Sequence, residues 1–243
     1  MNINNKEIYL VRHGETMWNI SGLAQGSRND IPLNMTGKEQ SLITGDYLNN
    51  HEQKYNKFDL VICSPMIRAK ETAEIICKKI NYDHNKIIYI EELKEIDKGL
   101  IGIGKSNNEL KKDIFYNDYF SLVYLLNKIK DPAKYNINYE YVFNNLPKKY
   151  EHETIDNLKK RCKKIINYII NTNKKKILII SHGDTIIYGI LSTIFNFSNI
   201  NKNFLNGTNC HISYVTFNNK KFELIYGPST QHFSLYNKKY FTK

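Results

Sequence analysis

Two segments of the sequence end an apolar run with a histidine and a glycine. The first is Leu10-Val11-Arg12-His13-Gly14 and the second is Ile179-Ile180-Ser181-His182-Gly183. A neutral imidazole can attack phosphorus, and an arginine next to it can hold a phosphate through paired hydrogen bonds. Glycine lets a ligand approach the backbone closely. If the fold brings the two segments together, they predict a site for a phosphorylated compound.

The elements that must position these histidines favour an α/β fold. Apolar runs rich in β-forming residues predict strands at 8–11, 58–63, 87–90, 176–181, 210–217 and 222–226. Amphipathic spacing predicts helices after residue 65, over 154–171 and over 185–195. Strands that alternate with helices indicate a three-layer α/β/α sandwich with a mainly parallel sheet of about six strands. Such sheets bind ligands at the carboxyl ends of their strands, where both histidines would lie.

Two helix starts and one insertion are predicted from local patterns. The segment Thr36-Gly37-Lys38-Glu39 fits a capping box, which places a helix start near Thr36. Ser64-Pro65 suits an N-cap followed by proline in the first helical turn. Residues 107–130 are compatible with a helix, whereas 131–150 show weak periodicity. We therefore expect 107–150 to be an insertion near the mouth of the site that shapes the substrate entrance.

Composition bounds the class of protein. The chain has 243 residues, of which 41% are hydrophobic, so we expect one folded domain over 1–243. The formal net charge of +11 fits either a lysine-coated surface or a negatively charged partner. RNA binding rests on this charge alone, because RNA-recognition signatures with interleaved aromatic residues are absent from the sequence. No nucleic-acid partner is therefore predicted.

The sequence also bounds location and cofactors. No leader segment precedes the first strand and no apolar run approaches ~20 residues, so no membrane association is predicted. The four cysteines are far apart in the sequence and form no C-x-x-C pair, which gives no support for a zinc cluster. A cytoplasmic location with free thiols is the expectation. Neither a metal nor another cofactor is predicted, and a homo-oligomer is left open.

Four motifs, in order along the chain, resemble the histidine phosphatase superfamily, the phosphoglycerate mutase-like proteins. Arg12-His13-Gly14-Glu15-Thr16 with Trp18-Asn19 resembles the family signature, and Ser64-Pro65-x-x-Arg68-Ala69 resembles its second motif. The segment Leu93-x-Glu95-Ile96-x-x-Gly99 resembles its acid-bearing loop, and Ser181-His182-Gly183 resembles its last catalytic motif. The resemblance extends over most of the chain, while 107–150 matches no recognised motif.

The resemblance implies a role for each of these residues. His13 would attack phosphorus and carry the phosphoryl group as a phosphohistidine. Arg12, Arg68 and His182 would surround the phosphoryl oxygens and stabilise their charge in the transition state. Glu95 would protonate the leaving oxygen and then take a proton from water, which requires a raised pKa. The residues predicted to bind substrate are Gly14, Thr16, Asn19 and Gly183.

The residues favour a phosphatase that acts on a small phosphorylated metabolite. The alternative within the family is a 2,3-bisphosphoglycerate-dependent phosphoglycerate mutase. Related mutases hold the phosphoglycerate carboxylate with extra basic residues and a tyrosine in the acid-bearing loop. Here that loop, 95–99, has no tyrosine, and no adjacent arginine pair follows in 107–150. A binding protein that has lost turnover is a third alternative, which the complete set of motif residues disfavours.

A competing motif lies at 99–106, where the sequence fits the P-loop pattern G-x-x-x-x-G-K-[ST]. Taken alone, it predicts nucleotide binding with Lys105 on the phosphates and Ser106 on magnesium. A P-loop follows a buried strand directly, whereas the charged segment 92–98 precedes this one. Leu100 and Ile103 are also bulky for a loop that cradles phosphate. Nucleotide binding is therefore not predicted.

Overall fold

The structure is a computed structural model that describes residues 5–52, 57–106, 144, 148, 151–195 and 208–236. Its strands are β1 (Lys6–Arg12), β2 (Leu60–Cys63), β3 (Ile88–Tyr89), β4 (Lys176–Ser181), β5 (Ile212–Asn218) and β6 (Lys221–Ser229). Its α-helices are α1 (Met17–Ile20), α2 (Met35–Tyr47), α3 (Ile67–Lys79), α4 (Gly99–Gly102), α5 (Ile155–Asn171) and α6 (Ser192–Phe195). The π-helices are Leu48–Glu52 and Thr185–Leu191, and the 3₁₀ segments are His84–Lys86, Glu91–Leu93 and Gln231–Tyr236.

The strands form one six-stranded sheet in the order β3-β2-β4-β1-β5-β6. The pairs β3-β2, β2-β4 and β4-β1 are parallel, whereas β5 runs antiparallel to both β1 and β6. In the central pair, Arg12 lies level with Ser181. The residues that follow, His13 and His182, therefore leave the sheet at the same edge. The prediction of a mainly parallel sheet with about six strands is confirmed.

Both faces of the sheet are covered, which completes three layers. Because side chains alternate along a strand, Ile8 and Leu10 of β1 point to one face and Tyr9 and Val11 to the other. Ile8 and Leu10 belong to an apolar cluster with the buried side of α5. Tyr9 and Val11 belong to a second cluster with the buried side of α3. The predicted α/β/α sandwich is thus confirmed by where the apolar residues pack.

Both predicted helix caps are wrong in detail. Helix α2 is capped by Asn34, whose side-chain oxygen accepts from the Gly37 backbone N–H at 2.7 Å, rather than by Thr36. Asparagine caps at least as well as threonine, and Asn34 also donates to the Glu15 carboxylate at 2.9 Å, which ties the helix start to the loop after β1. Helix α3 begins three residues after Ser64 and its N-cap is Met66, while the Ser64 hydroxyl contacts His182 Nε2 at 2.8 Å and accepts from the Met66 backbone N–H at 3.4 Å.

Some expectations concern residues that the structure does not describe. The predicted insertion at 107–150, with its helical and irregular parts, lies outside the described residues except for positions 144 and 148. Within the described ranges, every helix is too short or too polar to cross a lipid bilayer.

Candidate active site

Both predicted histidines lie at the carboxyl ends of neighbouring parallel strands. The His13 backbone N–H donates to the Ser181 carbonyl oxygen at 2.9 Å, which holds the end of β1 against the end of β4. The two imidazole rings lie 5.2 Å apart, measured between ring centroids. Both residues are buried, with 2% of His13 and none of His182 exposed. The register of the sheet therefore brings the two histidines into one site.

The orientation of the His13 ring leaves one nitrogen available for chemistry. Its Nδ1 lies 2.7 Å from the Gly14 carbonyl oxygen. A carbonyl oxygen only accepts hydrogen bonds, so the neutral ring carries its hydrogen on Nδ1. The other nitrogen, Nε2, then keeps its lone pair. This is the tautomer that a nucleophilic imidazole requires.

Burial keeps both imidazoles neutral. It lowers the pKa of His13 well below the usual value, and the charges of Arg68 and Arg12 lower it further. Burial and then Arg68 also lower the pKa of His182. The His182 Nε2 lies 2.8 Å from the Ser64 hydroxyl oxygen, whereas its Nδ1 has no hydrogen-bond partner among the described residues. A buried polar atom of this kind requires an explanation, and a bound ligand would supply one.

Arg68 is a completely buried cation at the start of α3. Its Nη1 donates to the Arg28 carbonyl oxygen at 2.7 Å and its Nη2 to the Gly26 carbonyl oxygen at 2.9 Å. Its Nε has no hydrogen-bond partner within the part of the chain that is described. Burial lowers the pKa of Arg68 to about 10, so the guanidinium stays charged at neutral pH. Two carbonyl groups therefore orient a charged group whose third donor atom is unused.

Asn19 is held in place through its side-chain oxygen. The Oδ1 atom accepts from the Thr16 backbone N–H and from the Thr16 hydroxyl, each at 3.1 Å. It also accepts from Nδ2 of Asn209 at 3.1 Å. Because Oδ1 is occupied, the Asn19 amide N–H groups remain to donate into the cavity that this residue lines. Thr16 is fully buried and caps α1, so it positions Asn19 and does not itself line the cavity.

Asn209 is a site residue whose role the motifs did not predict. Its Nδ2 lies 3.1 Å from the carbonyl oxygens of both His13 and Gly14, in addition to its contact with Asn19. It therefore links the main chain of the central histidine to the neighbouring amide. The sequence carries little signal for this role, because asparagine is common throughout the chain and Asn209 lies 196 positions from His13.

The two predicted glycines differ in what they do. A Cβ atom on Gly14 would lie 2.4 Å from the Gly37 carbonyl oxygen, so only glycine lets the two backbones approach. The Gly14 N–H also donates to the Thr72 hydroxyl oxygen at 3.0 Å. Gly183 lines the cavity, and a Cβ atom there would meet Arg12 at an ordinary contact distance of 3.4 Å. Gly14 is therefore required for packing, whereas Gly183 borders the space for a ligand.

Glu95 is oriented by donors at the start of the π-helix that follows His182. Its Oε1 accepts from the backbone N–H groups of Ile96 at 3.0 Å and Thr185 at 3.1 Å, while the Thr185 hydroxyl, which lies 3.1 Å from Oε1, donates to the Lys94 carbonyl oxygen at 2.7 Å. Burial raises the pKa of this carboxyl, and Asp184 raises it further, while Lys98 acts in the opposite direction. The net rise favours a carboxyl that can hold and then donate a proton.

A cavity of about 420 Å³ brings these groups together. This volume lies in the range of small-molecule sites. The predicted site residues that line it are Arg12, His13, Asn19, Arg68, Glu95 and Gly183. The remaining described residues of its wall are Leu23, Ala24, Gln25, Gly26, Lys98, Asp184, Ile187 and Tyr188. One space therefore holds the His13 imidazole, the two guanidinium groups and the Glu95 carboxyl group, with His182 buried beside His13.

The competing segment at 99–106 is not built like a P-loop. A 3₁₀ segment and a short loop precede α4, rather than a strand. The Lys105 carbonyl oxygen accepts from the Ala24 backbone N–H at 3.1 Å, and Ser106 forms a bridge with Leu23. The segment therefore packs against the loop that borders the cavity and lacks the preceding strand of a P-loop.

Comparisons with known proteins place this site in a family. Residues 8–119 and 127–226 match the model of the histidine phosphatase superfamily, branch 1. The chain is 44% identical over 92 residues to the uncharacterized phosphatase PhoE of Bacillus subtilis (strain 168), which is 38% of this chain and 43% of that protein. It is 35% identical over 95 residues to the probable phosphoglycerate mutase GpmB of Salmonella paratyphi C, 39% of this chain and 40% of that protein. The matched segments span less than half the length of these relatives.

Solved structures agree with the fold. A phosphoglycerate mutase from Bacillus anthracis superposes with a TM-score of 0.75 at 18% identity, covering 98% of this chain and 99% of that one. A mutant phosphoserine phosphatase from Entamoeba histolytica, in complex with phosphoserine, superposes with a TM-score of 0.61 at 25% identity, covering 93% of this chain and 98% of that one. Two strand-ending histidines, the sheet order around them and a family match over most of the sequence agree: this chain belongs to the histidine phosphatase superfamily.

Proposed function

We propose that this protein is a phosphatase that hydrolyses small phosphate monoesters through a phosphohistidine on His13. The observation that carries the proposal is the His13 ring, whose Nδ1 is committed to the Gly14 carbonyl oxygen while Nε2 keeps a lone pair. The same cavity holds Arg12 and Arg68, which match the charge of a phosphate dianion, and Glu95, a carboxyl with a raised pKa.

In the first half of the reaction, the lone pair of His13 Nε2 forms a bond to phosphorus as the ester P–O bond breaks. Glu95 gives its proton to the departing oxygen, so the product leaves as a neutral alcohol and the carboxyl becomes a carboxylate. Arg12, Arg68 and the Asn19 amide donate to the phosphoryl oxygens, whose charge is spread over three positions in the transition state.

In the second half, water attacks the phosphohistidine. The Glu95 carboxylate takes a proton from this water as the new P–O bond forms and the P–N bond breaks. The bond electrons return to Nε2, so His13 regains its starting tautomer and inorganic phosphate is released. The backbone N–H groups that hold Glu95 stabilise its carboxylate form between the two halves.

The mutase alternative uses the same phosphohistidine but returns the phosphoryl group to a phosphoglycerate. This alternative is supported by a relative and a solved structure that are both named as phosphoglycerate mutases. The phosphatase reaction is favoured because the acid-bearing loop, 95–99, contains no tyrosine and its Lys98 is paired with Asp184. Conversion of 3-phosphoglycerate with and without 2,3-bisphosphoglycerate separates the two reactions from phosphate release.

The phosphohistidine is tested by trapping it. The protein is mixed briefly with an aryl phosphate, quenched without acid and measured by peptide mass spectrometry. We expect an added phosphoryl group on the peptide that contains His13, and none in the His13→Ala variant. A label on another residue, or full activity of His13→Ala, would show the mechanism to be wrong.

We further propose that the partner is a small phosphorylated metabolite and that the protein acts in the cytoplasm. We also propose that the chain is a single catalytic domain over 1–243, in which 107–150 contributes to the substrate entrance. The first proposal is supported by the size of the cavity and by the substrates named for related phosphatases. The cytoplasmic location is supported by the four cysteines, all of which are buried and free.

A further inference from the structure

The cavity has a second charged feature besides the two guanidinium groups and Glu95. Lys98 Nζ lies 3.1 Å from a carboxylate oxygen of Asp184, and both side chains line the cavity. They are mostly buried, with 25% of the Lys98 side chain and 22% of the Asp184 side chain exposed. Partial removal from water strengthens such a pair relative to an exposed one. The reaction steps derived above do not use this ion pair.

The charges of the described cavity wall divide into two sets. The guanidinium groups of Arg12 and Arg68 carry the charge that a phosphate monoester dianion requires. Glu95 is neutral when it is ready to donate its proton. The remaining charges, Lys98 and Asp184, cancel each other. The described wall residues other than the two arginines and Glu95 therefore carry no net charge.

The rest of that wall carries no charge. Leu23, Ala24 and Ile187 line it with the uncharged polar side chains of Gln25 and Tyr188. An alcohol group that carried a net negative charge would lose water there and find Lys98 already occupied by Asp184. It would have to break the ion pair or remain without a counter-charge. Both outcomes cost binding free energy, whereas an alcohol with no net charge incurs neither.

On the basis of the phosphatase function proposed above, we infer that the Lys98–Asp184 ion pair selects phosphomonoesters whose alcohol portion carries no net charge. This class includes both neutral alcohols and alcohols whose ammonium and carboxylate groups cancel. The pair acts as a specificity determinant by excluding a lone carboxylate, because Asp184 neutralises the cation that would otherwise attract one.

Three phosphate esters of similar size test the inference. Glycerol 3-phosphate has a hydroxymethyl group where 3-phosphoglycerate has a carboxylate, so its alcohol portion is neutral. Phosphoserine has an ammonium group where 3-phosphoglycerate has a hydroxyl, so its ammonium and carboxylate charges cancel. The measured quantity is kcat/KM for phosphate release, expressed as each ester's ratio to 3-phosphoglycerate. For the native protein we expect both ratios to exceed one, by about tenfold.

Two variants should move these ratios in opposite directions. In Asp184→Asn, Lys98 is left to attract a carboxylate, so the glycerol 3-phosphate ratio should fall by about tenfold. In Lys98→Met, Asp184 repels a carboxylate, so the same ratio should rise by about tenfold. Because both esters are measured on one variant, changes to Glu95 or to folding affect numerator and denominator alike and cancel.

Lys79→Met and Asp46→Asn are matched controls, because they break an ion pair of 3.0 Å between α3 and α2 that lies outside the cavity. Their ratios should equal that of the native protein. Ratios that stay within twofold in both cavity variants, or a native preference for 3-phosphoglycerate, would overturn the inference while leaving the phosphatase function intact. Absence of phosphate release from every ester, including an aryl phosphate, would instead overturn the proposed function.

Discussion

Charged side chains are buried at both ends of the sheet, but their surroundings differ. At the amino end, Lys6 at the start of β1 donates to the carbonyl oxygens of Thr172 at 2.7 Å and Lys174 at 2.9 Å. Nearby, the Glu52 carboxylate accepts from three tyrosine hydroxyls, those of Tyr9, Tyr47 and Tyr226. At this end, the protein itself supplies hydrogen-bond partners for both charged groups.

At the carboxyl end, the hydrogen bonding of the buried groups is incomplete. Arg68 Nε and His182 Nδ1 are buried without a partner in the described part of the chain. Leaving such atoms unsatisfied costs stability, and a native fold rarely retains them without a reason. Burial of a charged side chain therefore does not by itself identify a functional site. The amino end pairs its charged groups within the protein, whereas the carboxyl end leaves Arg68 Nε and His182 Nδ1 without a partner among the described residues.

The largest expected effect is on His13 itself. His13→Ala should lower kcat/KM for phosphate esters on the order of 10⁴-fold, because no other group can form the covalent intermediate. Steady-state phosphate release measures this, with circular dichroism to show that the variant is folded. A loss below tenfold would mean that the carboxyl end of the sheet does not carry the reaction.

Two buried cations, one at each end of the sheet, should affect different properties: one the binding of phosphate, the other the stability of the fold. Arg68→Met should lower kcat/KM by about 10²–10³-fold and should abolish the thermal stabilisation that inorganic phosphate gives the native protein. Lys6→Met should lower the free energy of unfolding by about 1–3 kcal/mol, because two carbonyl groups lose their donor, yet it should keep the phosphate response. Urea unfolding and melting curves with and without phosphate measure both. Equal stabilisation of the two variants by phosphate would contradict the conclusion that Arg68 binds a ligand and Lys6 does not.

The carboxyl groups of Glu95 and Glu52 allow the same comparison between the carboxyl end and the amino end of the sheet. Glu95→Gln cannot donate a proton, so kcat/KM for an alkyl phosphate should fall by about 10²-fold or more. The loss should be much smaller for nitrophenyl phosphate, whose leaving group departs as an anion without a proton. Parallel assays of the two esters measure this difference, and equal losses for both would remove Glu95 from the role of proton donor.

The matched variant at the amino end is Glu52→Gln. Its amide N–H₂ would face a tyrosine hydroxyl that now donates to a carboxylate oxygen, so the free energy of unfolding should fall by about 1–3 kcal/mol. The ratio of kcat/KM between alkyl and aryl esters should match that of the native protein, because this residue lies at the opposite end of the sheet from the cavity.

The sequence predicts the parts of this site that lie close together along the chain. The strands before His13 and His182 are continuous apolar runs, so their ends and the positions of the histidines follow from the pattern alone. Arg68 follows from a motif placed one turn after a strand. Which strands are neighbours does not follow from any local signal, and the parallel pairing of β1 with β4 is what makes the two histidines one site.

Contacts between distant segments explain what the sequence did not predict. Ser64 fits an N-cap locally, but its hydroxyl contacts His182, which is 118 positions away. The segment Asn209-Cys210 resembles the family only weakly, in an asparagine-rich chain, yet the Asn209 amide links the main chain of His13 and Gly14 to Asn19. The Lys98–Asp184 ion pair likewise joins the acid-bearing loop to the N-cap of the second π-helix, which the sequence gives no reason to pair.

The smallest predicted effect is a shift in pH dependence. In the proposed mechanism Glu95 must be protonated to start the reaction, so kcat/KM should fall as pH rises through its pKa. Burial raises that pKa and Asp184 raises it further, whereas Lys98 and Arg68 lower it. Removing the negative charge in Asp184→Asn should therefore move the alkaline limb of the profile to lower pH, and removing the positive charge in Lys98→Met should move it to higher pH.

The ionisation of the phosphate ester also contributes to such a profile, but it is the same for every variant and cancels in the comparison between them. Lys79→Met, whose ion pair with Asp46 lies outside the cavity, should leave the limb where it is in the native protein. Limbs that move in the same direction in both cavity variants would mean that these charges do not act on Glu95. Limbs that move in opposite directions would show that the charges of Lys98 and Asp184 set the pKa of Glu95. The charged groups at the amino end contact other protein groups and lie far from this proton donor, so they cannot act on it in this way.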